Sequence, residues 1–248
     1  DHLTFTLTLR DGVTWSDGQP FTSADVLFSF QVIYDEKVNS VLASSLKIDG
    51  KPLRVQAPDP RTVVVTFPHT FGPGIEMLDN LQLAAKHKYE AALKAGTFAQ
   101  QMGVSTAPAD LVVIGPYMLS SYAAGQRLVF DRNPHYWKKD AAGIQLPYID
   151  QIALEIVPDQ NAELVRLQAG QIDTLQQQIR PEDIATLKPL ERQLVPHRGV
   201  IDAVLEEKGI PAGGEPMERG RHGDRARVAM VAETCVDLLD PGTDVGGV

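Results

Sequence analysis

Leu3, Phe5, Leu7 and Leu9 alternate with Thr4, Thr6 and Thr8 at the start of the chain, and by residue 23 the apolar period has changed from two to that of a helix. The alternation, in residues that favour extended backbone, predicts a half-buried strand. Asp11-Gly12 and Asp17-Gly18 follow as two turns, each with a glycine free to take a positive φ. Thr22-Ser23-Ala24-Asp25 then matches a capping box, in which Thr22 caps a helix and Asp25 reaches back to it. That helix is predicted over residues 23–34, with Leu27, Phe30 and Tyr34 on one face. A strand, two tight turns and a capped helix in such close order constrain the chain to layers of mixed elements.

The remainder continues the mixture. Residues 53–57 and 62–67 read as paired strands around the turn Pro58-Asp59-Pro60-Arg61. A short helix is predicted near 75–81 and another over 87–95, stopped by Gly96. Residues 106–110 form a polar loop. Gly115-Pro116-Tyr117 opens a hairpin, 117–122 with 126–131, across Ala123-Ala124-Gly125. Asn133-Pro134 breaks it ahead of the aromatic pair Tyr136-Trp137, which should pin the turn onto the sheet. Residues 150–157 read as a strand with Ile152, Leu154 and Ile156 on one side. Residues 161–169 read as a helix stopped by Gly170, 171–175 as a short strand, and 181–187 as the start of another helix. The fold class is therefore α/β in the broad sense, mixed α+β, without a repeat. Near Leu190 the composition shifts toward glycine and charge. Residues 201–208 and 226–239 carry helical patterns there, and 211–224 reads as loop or disorder.

Bulk properties narrow the function. With 248 residues, 43% of them hydrophobic, the chain can bury a sizeable core. A net charge of −9 with interspersed signs argues against a nucleic-acid partner, which needs a basic face. Cys235 is the one cysteine, so neither an internal disulfide nor a cysteine-built metal site can form. No apolar run is long enough to span a bilayer. No signal peptide is present, but residue 1 abuts a strand, so the chain reads as cut from a longer one. The six histidines show no HxxxH or HExxH spacing, and no GxGxxG, P-loop or GxSxG motif occurs. Arg221-His222-Gly223 matches a short phosphatase motif but lies in a predicted loop, as a chance match would. No catalytic residue, metal site or cofactor is expected.

Four segments together resemble one family. They are LRDGVTWSDGQPFTSADVLFSF at 9–30, IGPYMLSSYAAGQRLVFDRNPHYW at 114–137, LPYIDQIALEIVPD at 146–159 and NAELVRLQAGQIDTL at 161–175. Each alone is modestly specific; all four, in order and at the right spacing, resemble the family 5 solute-binding proteins, the peptide- and nickel-binding subunits of bacterial ABC importers. The resemblance covers roughly residues 1–188. It implies a periplasmic-binding-protein type II-like architecture of two lobes with an extra subdomain. Residues 1–110 would form the extra subdomain of lobe I, and 111–189 the mixed sheet of lobe I, gathering the Gly-Pro-Tyr hairpin and an Ile172-Asp173 strand. The second lobe would be largely missing. Two departures stand out: Ile114 occupies a place where the family has a small residue, and 190–248 is atypical, as a frameshift or a mispredicted gene end would make it.

By the same resemblance the chain should capture a small solute, an oligopeptide above all, by hinge closure, and deliver it to an ABC permease. It should act as a monomer, periplasmic or extracellular, with a lipoprotein anchor as one option. Residues near the implied cleft are Tyr117, Tyr122, Asp79 and Asn80. Aromatics suit a pocket wall, but burial tendencies favour core packing for both tyrosines, and a solvated loop is the safer reading of Asp79-Asn80. Trp15 reads as core. Two other readings remain open: a hydrolase with a carboxylate active site, which needs two carboxylates facing across a groove, and a truncated lobe that binds nothing tightly.

Overall fold

The computed structural model describes residues 3–79, 81–175, 180–183 and 187. In chain order the elements are β1 (Thr4–Thr8), α1 (Ser23–Tyr34), α2 (Leu42–Ser45), β2 (Lys47–Ile48), β3 (Lys51–Pro52), β4 (Arg54–Asp59), β5 (Thr62–Thr66), α3 (Gly74–Leu78), α4 (Lys86–Ala95), α5 (Phe98–Gln101), β6 (Tyr117–Ala123), β7 (Arg127–Arg132), β8 (Gln151–Glu155) and α6 (Gln160–Gln168). Short 3-10 turns occupy Pro108–Asp110 and Pro181–Asp183. These elements make three sheets, ordered β1-β5-β4, β2-β3 and β6-β7-β8. The mixed α/β class is as expected.

The opening alternation does what its period dictates. β1 pairs antiparallel with β5 so that Phe5 lies opposite Val65 and Leu7 opposite Val63. All four are buried, while Thr6 points to solvent. Burying this face is the main stabilising term of the sheet. β4 pairs with the other edge of β5, and the register shifts between Gln56 and Asp59. There the carboxylate of Asp59 accepts the N–H groups of Arg61 (2.8 Å) and Thr62 (2.9 Å), closing the turn.

α1 packs on β4 and β5 and against α4. A single face of Leu27, Phe30 and Tyr34 was expected; the helix is instead buried around most of its circumference. Val26, Phe28, Phe30, Val32 and Ile33 are all core residues, Leu27 is only half-buried, and Gln31 is exposed. A helix covered on two sides has no single apolar stripe, which is why the period misled. The core that α1 completes includes Trp15, Phe21, Leu46, Phe67, Leu78 and Tyr89.

α4 ends as its sequence requires. Gly96 takes φ 72°, and its N–H returns to Ala92 and Leu93, a left-handed close that a side chain would strain. α3 is shorter than expected, ending at Leu78. α6 is capped by Asp159, whose carboxylate accepts the N–H groups of Asn161 and Ala162. Residues 171–175, expected as a strand, carry no ladder, so the sheet gathers the hairpin with β8 and not with Ile172-Asp173. Alternating residues make a strand only beside a partner edge, and none of the described strands pairs with them. In β8, Ile152 is buried as expected, but Ile156, past its end, is 46% exposed.

Among the described residues the chain divides into two compact units, 3–122 with 130–148, and 123–129 with 149–187. The patterns at 201–208, 211–224 and 226–239, and the atypical stretch 190–248 as a whole, lie outside the described residues.

Candidate ligand-binding surface

Tyr117 and Tyr122 both lie in β6, where Tyr117 is half-buried and Tyr122 is 41% exposed. An odd separation of five sends them to opposite faces of the strand, so one pocket wall on one face of β6 cannot use both. Asp79 is exposed and caps the C-terminus of α3, its N–H donating to Glu76 and Met77. Asn80 lies outside the described residues. Neither Tyr122 nor Asp79 is core, in line with the solvated reading for Asp79.

What positions β6 was not read from the sequence. Asn133, fully buried, donates from Nδ2 to the carbonyl of Gly115 (2.8 Å), and its Oδ1 accepts the N–H of His135 (2.9 Å). Its own N–H donates to the carbonyl of Pro116 (2.8 Å). One side chain thus ties the Gly-Pro-Tyr segment to the Asn-Pro turn. The Gly115 and Pro116 carbonyls thus both take a donor from Asn133, a link that neither motif shows by itself. Tyr136 is buried, and Trp137 is half-buried against the core that α1 completes. The guanidinium of Arg10 covers the Trp137 ring at 4.7 Å.

A second junction holds the segment before β6. Ser16 donates its N–H to the carbonyl of Val113 (2.8 Å), and its Oγ accepts the N–H of Val113 (3.1 Å). The hydroxyl of Tyr89 accepts the N–H of Val112 (3.0 Å); burial pushes that phenol above its ordinary value. The Asp17-Gly18 turn beside Ser16 is fixed by Asp17, which accepts the N–H of Gln19 (3.1 Å) and pairs with His87 Nε2 at 2.7 Å. Partial burial works to raise the Asp17 carboxyl, but the hydrogen bonds from His87 and Gln19 outweigh it and hold the group below its ordinary range. Trp15 is wholly buried between Phe21 and His87, edge-on to both rings, confirming its core role.

Among the described residues no group of three or more His, Cys, Asp or Glu side chains is placed to hold a metal, and no helix is long and apolar enough to cross a membrane.

Comparison with known proteins gives this arrangement its context. A protein of Deinococcus radiodurans named "Probable ABC transporter-binding protein" is 35% identical over 180 residues, 70% of this chain and 30% of that one. The crystal structure of the ABC transporter substrate binding protein CtaP of Listeria monocytogenes superposes with a TM-score of 0.63 at 30% identity, over 76% of this chain and 36% of that one. A structure titled as a putative peptide binding protein, AppA of Clostridium difficile, gives a TM-score of 0.57 at 27% identity, over 69% and 33% of the two chains. The chain spans about 30% of the length of the curated relatives it matches. The family model of the bacterial extracellular solute-binding proteins, family 5, middle, matches residues 1–206, most of the chain, and the chain belongs to that family.

Proposed function

We propose that this chain is part of the substrate-binding component of a bacterial ABC importer, capturing peptides or similar small solutes outside the cytoplasm. The observation that carries the reading is the match of residues 1–206 to an extracellular solute-binding family. The names of its relatives, an ABC transporter-binding protein and a peptide binding protein among them, point the same way. In this reading residues 1–110 form the extra subdomain of lobe I, and 111–189 its sheet. Ligand stabilises a closed state through contacts made only there. An extended peptide would bind through main-chain hydrogen bonds, which give affinity without reading side chains. Tyr117 and Tyr122, on opposite faces of β6, and Asp79 with Asn80 are the candidate contacts. The partner is a membrane permease, the protein is a monomer, and its place is periplasmic or extracellular, with or without a lipid anchor.

Calorimetric titration of the full chain with mixed di- to pentapeptides tests the proposal. Saturable heat is expected. Absence of heat favours a lobe too incomplete to bind, since affinity in such a cleft depends on enclosure. Incubation with peptides and oligosaccharides should give no turnover; cleavage of either would establish a hydrolase instead.

A further inference from the structure

We propose that Asp11-Gly12 is a site of spontaneous backbone modification, at which the aspartate converts to isoaspartate through a cyclic imide. The Gly12 amide nitrogen attacks the carboxyl carbon of Asp11. A C–N bond forms, the amide proton and the carboxyl hydroxyl leave as water, and a five-membered succinimide results. Water then opens the ring at either carbonyl. One opening restores aspartate; the other routes the main chain through the side chain and lengthens it by a methylene. The water lost in the first step returns in the second, and no other reactant is needed.

Three Asp-Gly pairs with described surroundings occur in the chain, and the structure separates them. At Asp11-Gly12 both residues are exposed, and the Gly12 N–H already donates to Asp11 Oδ1 at 3.0 Å, which brings nucleophile and carboxyl together. Gly12 has φ +72° and open space where a Cβ would stand, so the turn can reshape into a ring. At Asp17-Gly18 the nucleophile is engaged elsewhere: the Gly18 N–H donates to the carbonyl of Trp15 at 2.9 Å. Both Asp17 oxygens are also occupied, one by the Gln19 N–H and one by His87. At Asp49-Gly50 the carboxylate is drawn to His69 Nε2 at 3.0 Å. Gly50, at φ +74° with open space where a Cβ would stand, has as much room as Gly12, so what sets the first pair apart is that its glycine N–H is held on its own aspartate carboxylate.

The consequence falls between two anchors. Arg10, one residue earlier, lies over the Trp137 ring, and Val13, one residue later than the glycine, is core. An extra methylene between them shifts one of these anchors against the other.

Prolonged incubation of the full chain at neutral pH and body temperature, followed by proteolysis and fragmentation that distinguishes isoaspartate, tests the assignment. Isoaspartate should accumulate at residue 11 several-fold faster than at 17 or 49, preceded by a species one water lighter in the same peptide. Asp11→Glu should abolish it, since a six-membered imide forms far more slowly, and Asp11→Asn should accelerate it with release of ammonia. Equal rates at the three positions, or isoaspartate at 17 or 49 ahead of 11, would overturn the proposal. So would a folded chain that stays unmodified while a short peptide of residues 9–14 converts.

Discussion

The carboxylate of Asp25, only 4% exposed, accepts the main-chain N–H of Lys86 at 2.9 Å, joining the first turn of α1 to the first turn of α4. Its other oxygen accepts the N–H (2.8 Å) and the hydroxyl (3.1 Å) of Thr22. The reach back to Thr22 was legible as a capping box; the grip on Lys86 was not. Ser29 repeats the link one turn later, donating to the Asp25 carbonyl and accepting the N–H of Ala84.

Replacing Asp25 by alanine should therefore cost about 3 kcal/mol, because two part-buried N–H groups and the Thr22 hydroxyl lose their carboxyl acceptor at once. Asp25→Asn, which keeps one acceptor oxygen, should cost roughly half as much. Urea unfolding of the three proteins checks this. Equal stability of wild type and the alanine variant would show that the junction carries no weight.

Asn133 should behave as a two-sided tie. Asn133→Ala leaves the Gly115 carbonyl and the His135 N–H without their partner, at about 2 kcal/mol. Asn133→Asp keeps the acceptor for His135 but sets a buried carboxylate against the Gly115 oxygen, and should destabilise at least as much. Hydrogen exchange distinguishes them: the His135 amide stays protected in the aspartate variant and loses protection in the alanine variant.

Asp17 gives the acid limb of stability a defined sign. Its folded-state carboxyl lies below the ordinary value of 3.8, the His87 and Gln19 hydrogen bonds outweighing the upward push of burial. The unfolded chain therefore takes up the proton first. The contribution is fully present above the ordinary value and disappears as pH falls through the folded one. Thermal melts between pH 5 and 2 should show a shallower decline for Asp17→Asn than for wild type, by a small margin given the partial exposure of the pair.

His69 should show the opposite sign. Its Nδ1 lies 3.0 Å from the Thr70 carbonyl and its Nε2 3.0 Å from Asp49. Two acceptors demand two ring protons, so first the Thr70 carbonyl and then Asp49 hold the imidazole above its ordinary value. The contribution is present below the unfolded value and lost as pH rises through the folded one. An NMR titration should move the His69 midpoint downward in Asp49→Asn; an unchanged midpoint would refute the pairing.

Local periodicity and turn chemistry foretold β1, the β4–β5 pair, the β6–β7 hairpin and the close of α4 at Gly96, because each depends on neighbours within a few residues. The four motifs, read in order, also carried the family. Trp15 was legible as core because a large aromatic between two tight turns has nowhere else to go.

What needs a segment distant in sequence was decided by the tertiary structure. The coverage of α1 on more than one side, the grip of Asp25 on Lys86 and the tie of Asn133 to Gly115 each join residues whose separation in sequence carries no signal. Tyr117 and Tyr122 were paired by their chemistry, yet the two-residue period of β6 sends them apart. Residues 171–175 alternate like a strand, but none of the described strands pairs with them. A strand, a buried amide or a pocket wall exists only where a distant partner arrives, and that arrival is a property of the folded chain.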